Sequence, residues 1–242
     1  MFAFQDTQGR VEIAFTDRHA GTGGGPSASL DLAEPSAAPG DFLRNLDVAV
    51  RAFTGTVDPA PAPPVVRMRQ VHGADVHVVA AGEEPPTGDA LVTTEPGTVL
   101  MVRVADCVPV LLADPDAGVV AAVHAGRPGL VAGVVPAAVA AMRGLGATVV
   151  RAWVGPHVCG ACYEVPEQMR ADVSEVVPES YAETSWGTPS LDIGAGVLAQ
   201  LARSGAEVVD ASRCTIEDDD LFSYRRQGSA SGRLAGLVWV RP

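Results

Sequence analysis

The sequence contains no lysine, because all 17 of its basic residues are arginine. A Walker-type nucleotide loop needs a lysine beside the phosphates, and imine chemistry on a side chain needs a lysine amine, so both are excluded. The 29 acidic residues outnumber the arginines and give a net charge of −12. An acidic protein repels a phosphate backbone, so nucleic acid is not an expected partner.

Long apolar runs are also lacking. The most apolar stretches, Gly118–Val123 and Leu130–Ala141, are too short or too interrupted by glycine and proline to span a bilayer. The N-terminal residues show no basic segment followed by an apolar run, so no signal peptide is indicated. We therefore expect a cytoplasmic protein with no membrane partner.

Cysteine is scarce, with only four residues in the sequence. Disulfides are rare in cytoplasmic proteins, so metal ligation or nucleophilic chemistry is the favoured functional role for a cysteine here. Cys159 and Cys162 form one CxxC pair without a second pair, which does not support a zinc ribbon and favours two packed thiols. Cys214 is interpreted as a small buried hydrophobe.

The apolar pattern predicts strands alternating with helices. Apolar residues make up 47% of the sequence, enough for a sizeable core. The predicted strands are short strands within residues 1–18 around Val11–Thr16, followed by Val65–Met68, Val76–Ala80, Leu91–Thr94, Val99–Ala105, Val108–Ala113, Val119–Val123, Val149–Val154 and Leu234–Val240. The predicted helices are Phe42–Phe53 with Asp41 as N-cap, Gly129–Leu145, Pro166–Val177 and Gly194–Ser204. A flexible loop is predicted at Gly21–Pro26. We expect residues 1–242 to form one α/β domain with a mixed sheet or two stacked sheets.

Three metal-competent side chains lie where apolar strands end. They are His72, Cys107 and His124, and a glycine directly follows each histidine. Their separations match no structural zinc finger, so the spacing by itself is weak support. Thiolate and imidazole nevertheless suit zinc, and three protein ligands leave a fourth position for water or substrate. That ligand set is typical of a catalytic zinc site.

Arginines and carboxylates supply further candidates. Arg225 and Arg226, with Arg233 nearby, would clamp a phosphate or carboxylate, or else form a solvated turn paired with residues 217–220. The carboxylates of Asp89, Asp106 and Glu164 are candidate acid–base or orienting groups, and each would equally serve as a cap or turn residue. Among them, Asp106 is the candidate proton shuttle, although strand alternation would direct it away from the metal.

An ordered set of motifs resembles the YfiH/laccase-domain family, also called the polyphenol oxidase or peptidoglycan-editing-factor family. The resemblance covers nearly the whole chain. The motifs are Ala28-Ser29-Leu30-Asp31-Leu32, Gly40-Asp41, Asn45, Arg69-Gln70-Val71-His72-Gly73, Gly88-Asp89-Ala90-Leu91-Val92-Thr93, Ala105-Asp106-Cys107-Val108-Pro109-Val110, His124-Ala125-Gly126, Gly155-Pro156, Tyr163-Glu164-Val165 and Leu221-Phe222-Ser223-Tyr224-Arg225-Arg226.

The resemblance implies a layered α/β sandwich with mixed sheets, shared with bacterial deamidating toxins. It implies that His72, Cys107 and His124 bind one zinc and form the catalytic centre, with copper a competitor in vitro. It also implies phosphorolysis of adenosine, inosine and methylthioadenosine, and deamination of adenosine. The substrate-binding residues are then expected to be Asn45, Arg69, Gln70, Asp89, Asp106, Arg127 and Arg225.

One departure from the family pattern affects the phosphate. The family usually has tryptophan and arginine after His-Ala-Gly, where this chain has Arg127 and Pro128. If the family arginine contacts phosphate, that contact is lost here or comes from Arg127. The substitution puts phosphorolysis in more doubt than deamination, which uses no phosphate.

The sequence leaves three alternative functions open. A single-copper oxidase would use the two histidines and the cysteine with Met101 as a distant axial ligand, whereas five histidines are too few for a multicopper laccase. A metal-free amidase that edits peptidoglycan precursors would use Cys107 as nucleophile. A binding or scaffold protein is the non-enzyme alternative. A monomer is expected in each case.

Overall fold

The computed structural model describes residues 1–22, 29–34 and 39–242. The loop predicted at Gly21–Pro26 and the motif that begins at Ala28 therefore lie partly outside the described residues. The described chain contains two large mixed sheets, one small antiparallel sheet and helices on both outer faces.

The first large sheet has five strands in the order β1-β2-β13-β6-β3. Neighbours in this sheet are antiparallel except for β3 and β6, which are parallel. The strands are β1 (Phe2–Gln8), β2 (Val11–Thr16), β3 (Val65–Val66), β6 (Val99–Val104) and β13 (Leu234–Val240).

The second large sheet has six strands in the order β12-β9-β7-β8-β5-β4. Its two outermost pairs are parallel and the central pairs are antiparallel. The strands are β4 (Val76–Val78), β5 (Ala90–Thr93), β7 (Val108–Asp114), β8 (Val119–Ala125), β9 (Arg151–Val154) and β12 (Glu207–Asp210).

The remaining elements are helices and one short hairpin. The hairpin pairs β10 (Tyr181–Glu183) with β11 (Pro189–Leu191). The α-helices are α1 (Pro39–Thr54), α2 (Arg127–Ala132), α3 (Val134–Gly144), α4 (Glu167–Val176), α5 (Ile193–Arg203) and α6 (Tyr224–Gln227), and two 3₁₀ turns are Pro178–Ser180 and Gly228–Ala230.

Strand alternation divides the core into three apolar layers. In β13, Leu234 and Val238 pack between the two large sheets, whereas Leu237 and Trp239 pack under α1 on the outer face. The outer face of the six-stranded sheet packs against α2, α3, α4 and α5. Side chains that alternate between the two faces of each strand therefore form the layers of an α/β/β/α sandwich. This arrangement confirms the predicted fold class.

The same alternation places His124 at the end of the layer between the sheets. Val120 and Ala122 precede it on the same face of β8 and pack in that layer. Cys107 lies just before β7 and packs against the edge of the same apolar cluster. A rigid pair of antiparallel strands, β7 and β8, thus carries both side chains to one end of the sandwich.

The structure divides one of the predicted helices into two. The apolar pattern predicts a continuous helix over Gly129–Leu145, but Gly133 adopts a left-handed conformation with φ +81° and separates α2 from α3. Glycine accepts this conformation without a Cβ clash, so the chain can turn there. The sequence does not predict the short strands β10, β11 and β12, because three or four residues are too few to show a hydrophobic period.

Within the described ranges, no helix is both long and apolar enough to cross a membrane.

Candidate metal centre

His72, Cys107 and His124 converge in space although they are far apart in the sequence. Their ligand atoms all lie within 4.8 Å of one another. The Cys107 Sγ lies 3.7 Å from His72 Nε2, and the two imidazole rings meet edge to face with centroids 4.8 Å apart. We refer to these three residues as the triad.

The buried carboxylate of Asp89 organises the triad. It accepts a hydrogen bond from His124 Nδ1 at 2.7 Å. It also accepts hydrogen bonds from the backbone N–H groups of His72 at 2.9 Å and Gly73 at 2.6 Å. Val71 donates a further backbone bond at 3.2 Å. An ionised carboxylate can only accept, so Nδ1 carries a proton, and Nε2 of His124 is the nitrogen that would bind a metal after losing its own proton. Metal-binding histidines commonly have such a carboxylate partner.

One residue of the triad and one residue next to it have unusual backbone conformations. His72 has φ +62° and Asp106 has φ +90°. A positive φ is uncommon for residues other than glycine and costs free energy that the surroundings must supply. At His72 the hydrogen bonds from the backbone to the Asp89 carboxylate compensate for this cost. At Asp106 both carboxylate oxygens accept bonds, from Thr215 Oγ1 at 2.6 Å and from the N–H of Arg225 at 2.7 Å.

Charge pairing shifts the pKa values of the site. Burial raises the pKa of Asp89, but hydrogen bonds from His124 and from backbone N–H groups outweigh burial and hold it below its ordinary value. Burial lowers the pKa of His124, yet its bonds with Asp89 and Cys107 raise it to about 9. Burial raises the pKa of the Cys107 thiol, whereas hydrogen bonds with both histidines lower it to about 6. Without a metal, the site is therefore a thiolate beside an imidazolium at neutral pH.

The donor set suits a metal ion that prefers nitrogen and sulfur. One thiolate and two imidazoles are borderline-soft ligands typical of zinc or copper. Gly126 gives them room, because a Cβ at that position would lie 2.5 Å from the His72 ring and 3.2 Å from the Cys107 sulfur. These three residues would hold such a metal, and the ion would supply Lewis-acid chemistry beside the cavity.

A cavity of about 580 Å³ opens over the triad. This volume is within the range typical of small-molecule sites. The described residues that line it combine the triad with cationic and aromatic side chains: Ala33, Glu34, Gln70, His72, Arg103, Val104, Ala105, Asp106, Cys107, His124, Tyr163, Tyr224, Arg225, Ser229, Ser231 and Arg233.

Three arginines in this lining, Arg103, Arg225 and Arg233, form what we call the arginine cluster. Arg103 pairs with Glu34 at 3.2 Å, and Arg225 stacks on the ring of Tyr163 with 4.6 Å from its guanidinium carbon to the ring centroid. Burial lowers the pKa of Arg103, as do the nearby charges of other arginines, against the opposing effect of Glu34. The cavity is therefore locally cationic although the whole chain is acidic.

Several of the residues expected to bind substrate lie elsewhere or have their polar groups engaged. Asn45 is a buried residue of α1, where it accepts from the N–H of Thr22 at 2.9 Å and donates to the carbonyl of Asp31 at 3.0 Å. The amide of Gln70 reaches the cavity, but it exchanges two hydrogen bonds with the backbone of Arg103. Among the described residues that line the cavity, neither Asn45 nor Arg69 nor Arg127 is present.

Other residues take different places from those expected. Asp89 lies behind the triad rather than in the cavity, and the carboxylate of Asp106 is held by Thr215 and Arg225, which favours a positioning role over proton transfer. Glu164 accepts from Trp186 Nε1 at 2.9 Å. Pro128 fits the first turn of α2, where a missing N–H costs nothing.

The structure separates the two neighbouring arginines of the 225–226 pair. Arg225 faces the cavity, whereas Arg226 pairs with Asp219 at 3.0 Å and donates to nearby backbone carbonyls. The interpretation as a turn paired with residues 217–220 therefore holds for Arg226, whereas the anion clamp at Arg225 stays a prediction. Arg103 was not singled out from the sequence, because it interrupts an apolar strand without any motif, and only the sheet register brings it to the cavity.

The remaining histidines are dispersed and do not enlarge the site. His19 pairs with Asp220 at 2.7 Å, the His77 ring contacts the carbonyl of Thr87 at 2.9 Å, and His157 Nδ1 donates to the carbonyl of Gly155 at 2.8 Å. Met101 packs in the layer under α1, on the other face of the five-stranded sheet from Cys107. The described histidines therefore build no multicopper cluster, and Met101 is not an axial ligand to the triad.

The fold and the site together define an α/β/β/α protein with a His-Cys-His metal-competent centre in a cationic cavity. The family model described as multi-copper polyphenol oxidoreductase laccase matches residues 12–241. A Streptomyces coelicolor protein named purine nucleoside phosphorylase is 53% identical, and the match covers 99% of this chain and 100% of that protein.

Solved structures show the same architecture. A Neisseria meningitidis protein of the DUF152 family has a TM-score of 0.84 at 29% identity, with 99% of each chain covered. YfiH of Bacillus licheniformis has a TM-score of 0.84 at 22% identity, which shows the fold, with 96% of this chain and 93% of that chain covered. The chain belongs to the laccase-like YfiH family, as its motifs predict.

The role of Asp89 can be tested with Asp89→Asn. We expect the zinc affinity of the folded variant to fall roughly 10- to 100-fold, because an amide cannot fix both the His124 tautomer and the backbone of residues 71–73. The measurement is competition for zinc with a chromophoric chelator. Asp75→Asn is the matched control, since Asp75 is nearby but exposed. Equal affinity in both variants would contradict the role of Asp89.

The charge pairing of Cys107 gives a pH dependence in the metal-free protein. We expect its alkylation by iodoacetamide to increase as pH rises through about 6, since the thiolate is the reacting form. Peptide mass spectrometry would follow each cysteine, and zinc-loaded protein, in which the thiolate is coordinated, is the protected control. A midpoint at about 8.5, the ordinary thiol value, would show that the pairing with the histidines is absent.

Proposed function

We propose that this chain is a zinc-dependent purine nucleoside phosphorylase that acts on adenosine, inosine and methylthioadenosine. The observation that carries the proposal is the triad at the base of a cavity bordered by the arginine cluster. The name of the 53% identical relative supports the same activity. Nucleoside and phosphate are the proposed partners, and the expected cytoplasmic location and monomeric state stay predictions.

His72, Cys107 and His124 would bind the zinc, which supplies Lewis-acid activation when present. The proposed identity of the metal rests on ligand chemistry. Copper binds the same donors and competes strongly with zinc in vitro. Asp89 keeps His124 in the tautomer that leaves Nε2 as the ligand atom. Gly126 keeps the space beside Cys107 open. These residues determine where a reacting group can approach.

The arginine cluster would bind the phosphate. In phosphorolysis a phosphate oxygen bonds to the ribose C1′ while the bond from C1′ to the purine nitrogen breaks. The bonding electrons leave with the purine, which then takes up a proton. Guanidinium groups match phosphate oxygens in geometry and charge. If the family arginine contacts phosphate, Arg103, Arg225 and Arg233 would supply the contact that Pro128 cannot make.

The aromatic rings in the cavity would hold the base. Tyr163 and Tyr224 both line the cavity, and each stacks with an arginine of the cluster. A purine offers a flat apolar face to such rings. The cavity volume of about 580 Å³ leaves space for a nucleoside together with a phosphate.

Deamination of adenosine is proposed as a second activity of the same site. Three protein ligands on the metal leave a coordination position that a water can take, and deamination needs no phosphate. It would convert adenosine and water to inosine and ammonia. The triad alone favours this reaction, whereas phosphorolysis also needs the arginine cluster.

A cysteine amidase acting on peptidoglycan precursors is the competing function. The observation in its favour is the lowered pKa of Cys107, about 6, beside two histidines. A thiolate of this kind is a nucleophile when no metal binds it. The two functions differ in their metal requirement, because zinc would block the nucleophile of an amidase and is needed by the phosphorylase.

The first test is adenosine turnover by zinc-loaded protein with and without phosphate, with products separated by chromatography. We expect adenine and ribose 1-phosphate only with phosphate, and inosine in either condition. Chelation should abolish both activities, and zinc should restore them. Cys107→Ala should lose most activity and most of the triad zinc while it keeps its fold. Adenosine turnover that persists after chelation would overturn the zinc requirement. No product from zinc-loaded protein would overturn the proposal and favour the amidase.

The arginine cluster is tested with Arg225→Ala and Arg233→Ala. We expect the KM for phosphate to rise roughly 10-fold or more, as for a lost hydrogen bond to a charged group. The deaminase rate without phosphate should change much less. Arg143→Ala is the matched control, because Arg143 is exposed near the end of α3. An unchanged phosphate KM in both cavity variants would remove the cluster from phosphate binding.

A further inference from the structure

The other three cysteines form a second cluster outside the triad. Cys159, Cys162 and Cys214 lie together with Glu217, and one ligand atom from each is within 4.8 Å of all the others. The sequence suggested two packed thiols and, 52 residues after Cys162, one unrelated buried cysteine. The structure instead brings all three sulfurs and a carboxylate to one place, which we call the second cluster.

Backbone hydrogen bonds fix the two segments that carry this cluster. The turn of the CxxC pair is closed by Cys162 and Tyr163, whose N–H groups donate to the carbonyl of Cys159 at 3.1 Å and 3.0 Å. A second turn begins at Cys214, whose carbonyl accepts from Asp218 at 3.0 Å. A parallel bridge between His157 and Cys214 aligns the two turns. The ligand atoms are thus positioned by main-chain geometry.

The second cluster contains three thiols and a carboxylate but no cationic side chain. The groups that act on the Cys159 thiol are the other two cysteines and Glu217. None of these neighbours is a cation. Burial raises the pKa values of Cys159 and Cys162, so a bound cation is what would allow these sulfurs to be thiolates. The cluster therefore offers three thiols that would give up their protons to a bound cation, beside one carboxylate.

We propose that Cys159, Cys162, Cys214 and Glu217 bind a second zinc ion with a structural role. Four protein ligands are typical of closed structural sites, and the two-residue spacing of the CxxC pair is common in them. In a tetrahedral site with zinc–sulfur distances of about 2.3 Å, neighbouring sulfurs are about 3.8 Å apart. The ligand atoms of the cluster lie within 4.8 Å of one another, so small side-chain movements would bring them to that geometry.

The second zinc would stabilise the wall of the catalytic cavity. Thr215, which follows Cys214, donates to the carboxylate of Asp106 at 2.6 Å, and Val158, which precedes Cys159, donates to the carbonyl of Asp106 at 3.0 Å. Asp106 is the neighbour of Cys107 in the triad. The zinc would fix two chain segments that both hold Asp106 in its left-handed conformation.

The test uses Cys107→Ala, which removes the only cysteine of the triad and leaves the second cluster intact. We expect wild type to bind two zinc ions per chain and Cys107→Ala to keep one. Replacement of zinc by cobalt in Cys107→Ala should give the strong thiolate-to-cobalt charge-transfer absorption. That absorption can come only from the second cluster, because the remaining triad ligands are histidines.

Two further variants assign the ligands. Cys162→Ser in the Cys107→Ala background should lose the zinc and most of the charge-transfer absorption. Glu217→Gln in that background should weaken zinc binding severalfold and should not alter the fold. Glu175→Gln is the matched control, because Glu175 is an exposed glutamate on α4. Equal zinc affinity in the Glu217→Gln and Glu175→Gln proteins would remove Glu217 from the ligand set.

The proposal is overturned if reduced Cys107→Ala shows three free thiols, binds no zinc and gives no thiolate-to-cobalt absorption. A disulfide within the cluster after purification under reducing conditions would overturn it too. Neither result depends on the nucleoside assay, so failure of the second site is distinguishable from failure of the phosphorylase function. The comparison of wild type with Cys107→Ala needs no substitution in the cluster, which keeps the test valid if Cys162→Ser does not fold.

Discussion

The buried carboxylate of Asp89 is the interaction on which the site depends. It has no solvent exposure, and its charge is satisfied by His124 and by backbone N–H groups of residues 71–73. Breaking such a network would leave an uncompensated buried charge, which is strongly destabilising. One side chain thereby fixes the tautomer of His124 and the left-handed backbone of His72. Two of the three triad residues take their positions from it.

Asp106 has the corresponding role on the other side of the triad. Its carboxylate and carbonyl accept bonds from three chain segments, around Val158, Thr215 and Arg225. Cys107 therefore follows a residue with a strained backbone, and several hydrogen bonds hold that residue in its conformation. Reactive groups held by supporting hydrogen bonds keep their geometry without reorganisation when a ligand binds. The second cluster adds its constraint to the same segments.

The charge distribution separates the site from the rest of the surface. The chain has a net charge of −12, yet Arg103, Arg225 and Arg233 line one cavity. A general anion such as a nucleic acid meets repulsion, while a small anion that fits the cavity meets guanidinium groups. Local charge placed by the fold, and not the sum over the sequence, decides which anion can bind.

The sequence alone was sufficient for the α/β class and the family, and it singled out the triad residues. Strand periodicity is a local property, since alternate side chains always face opposite sides, and the motifs at strand ends are contiguous. Tertiary structure decided the rest. It placed Asp89 behind His124, separated α2 from α3 at Gly133, and brought Arg103 to the cavity through sheet register. It also joined Cys214 to the CxxC pair, because pairing between distant segments depends on the packing of the whole core and leaves no local periodicity.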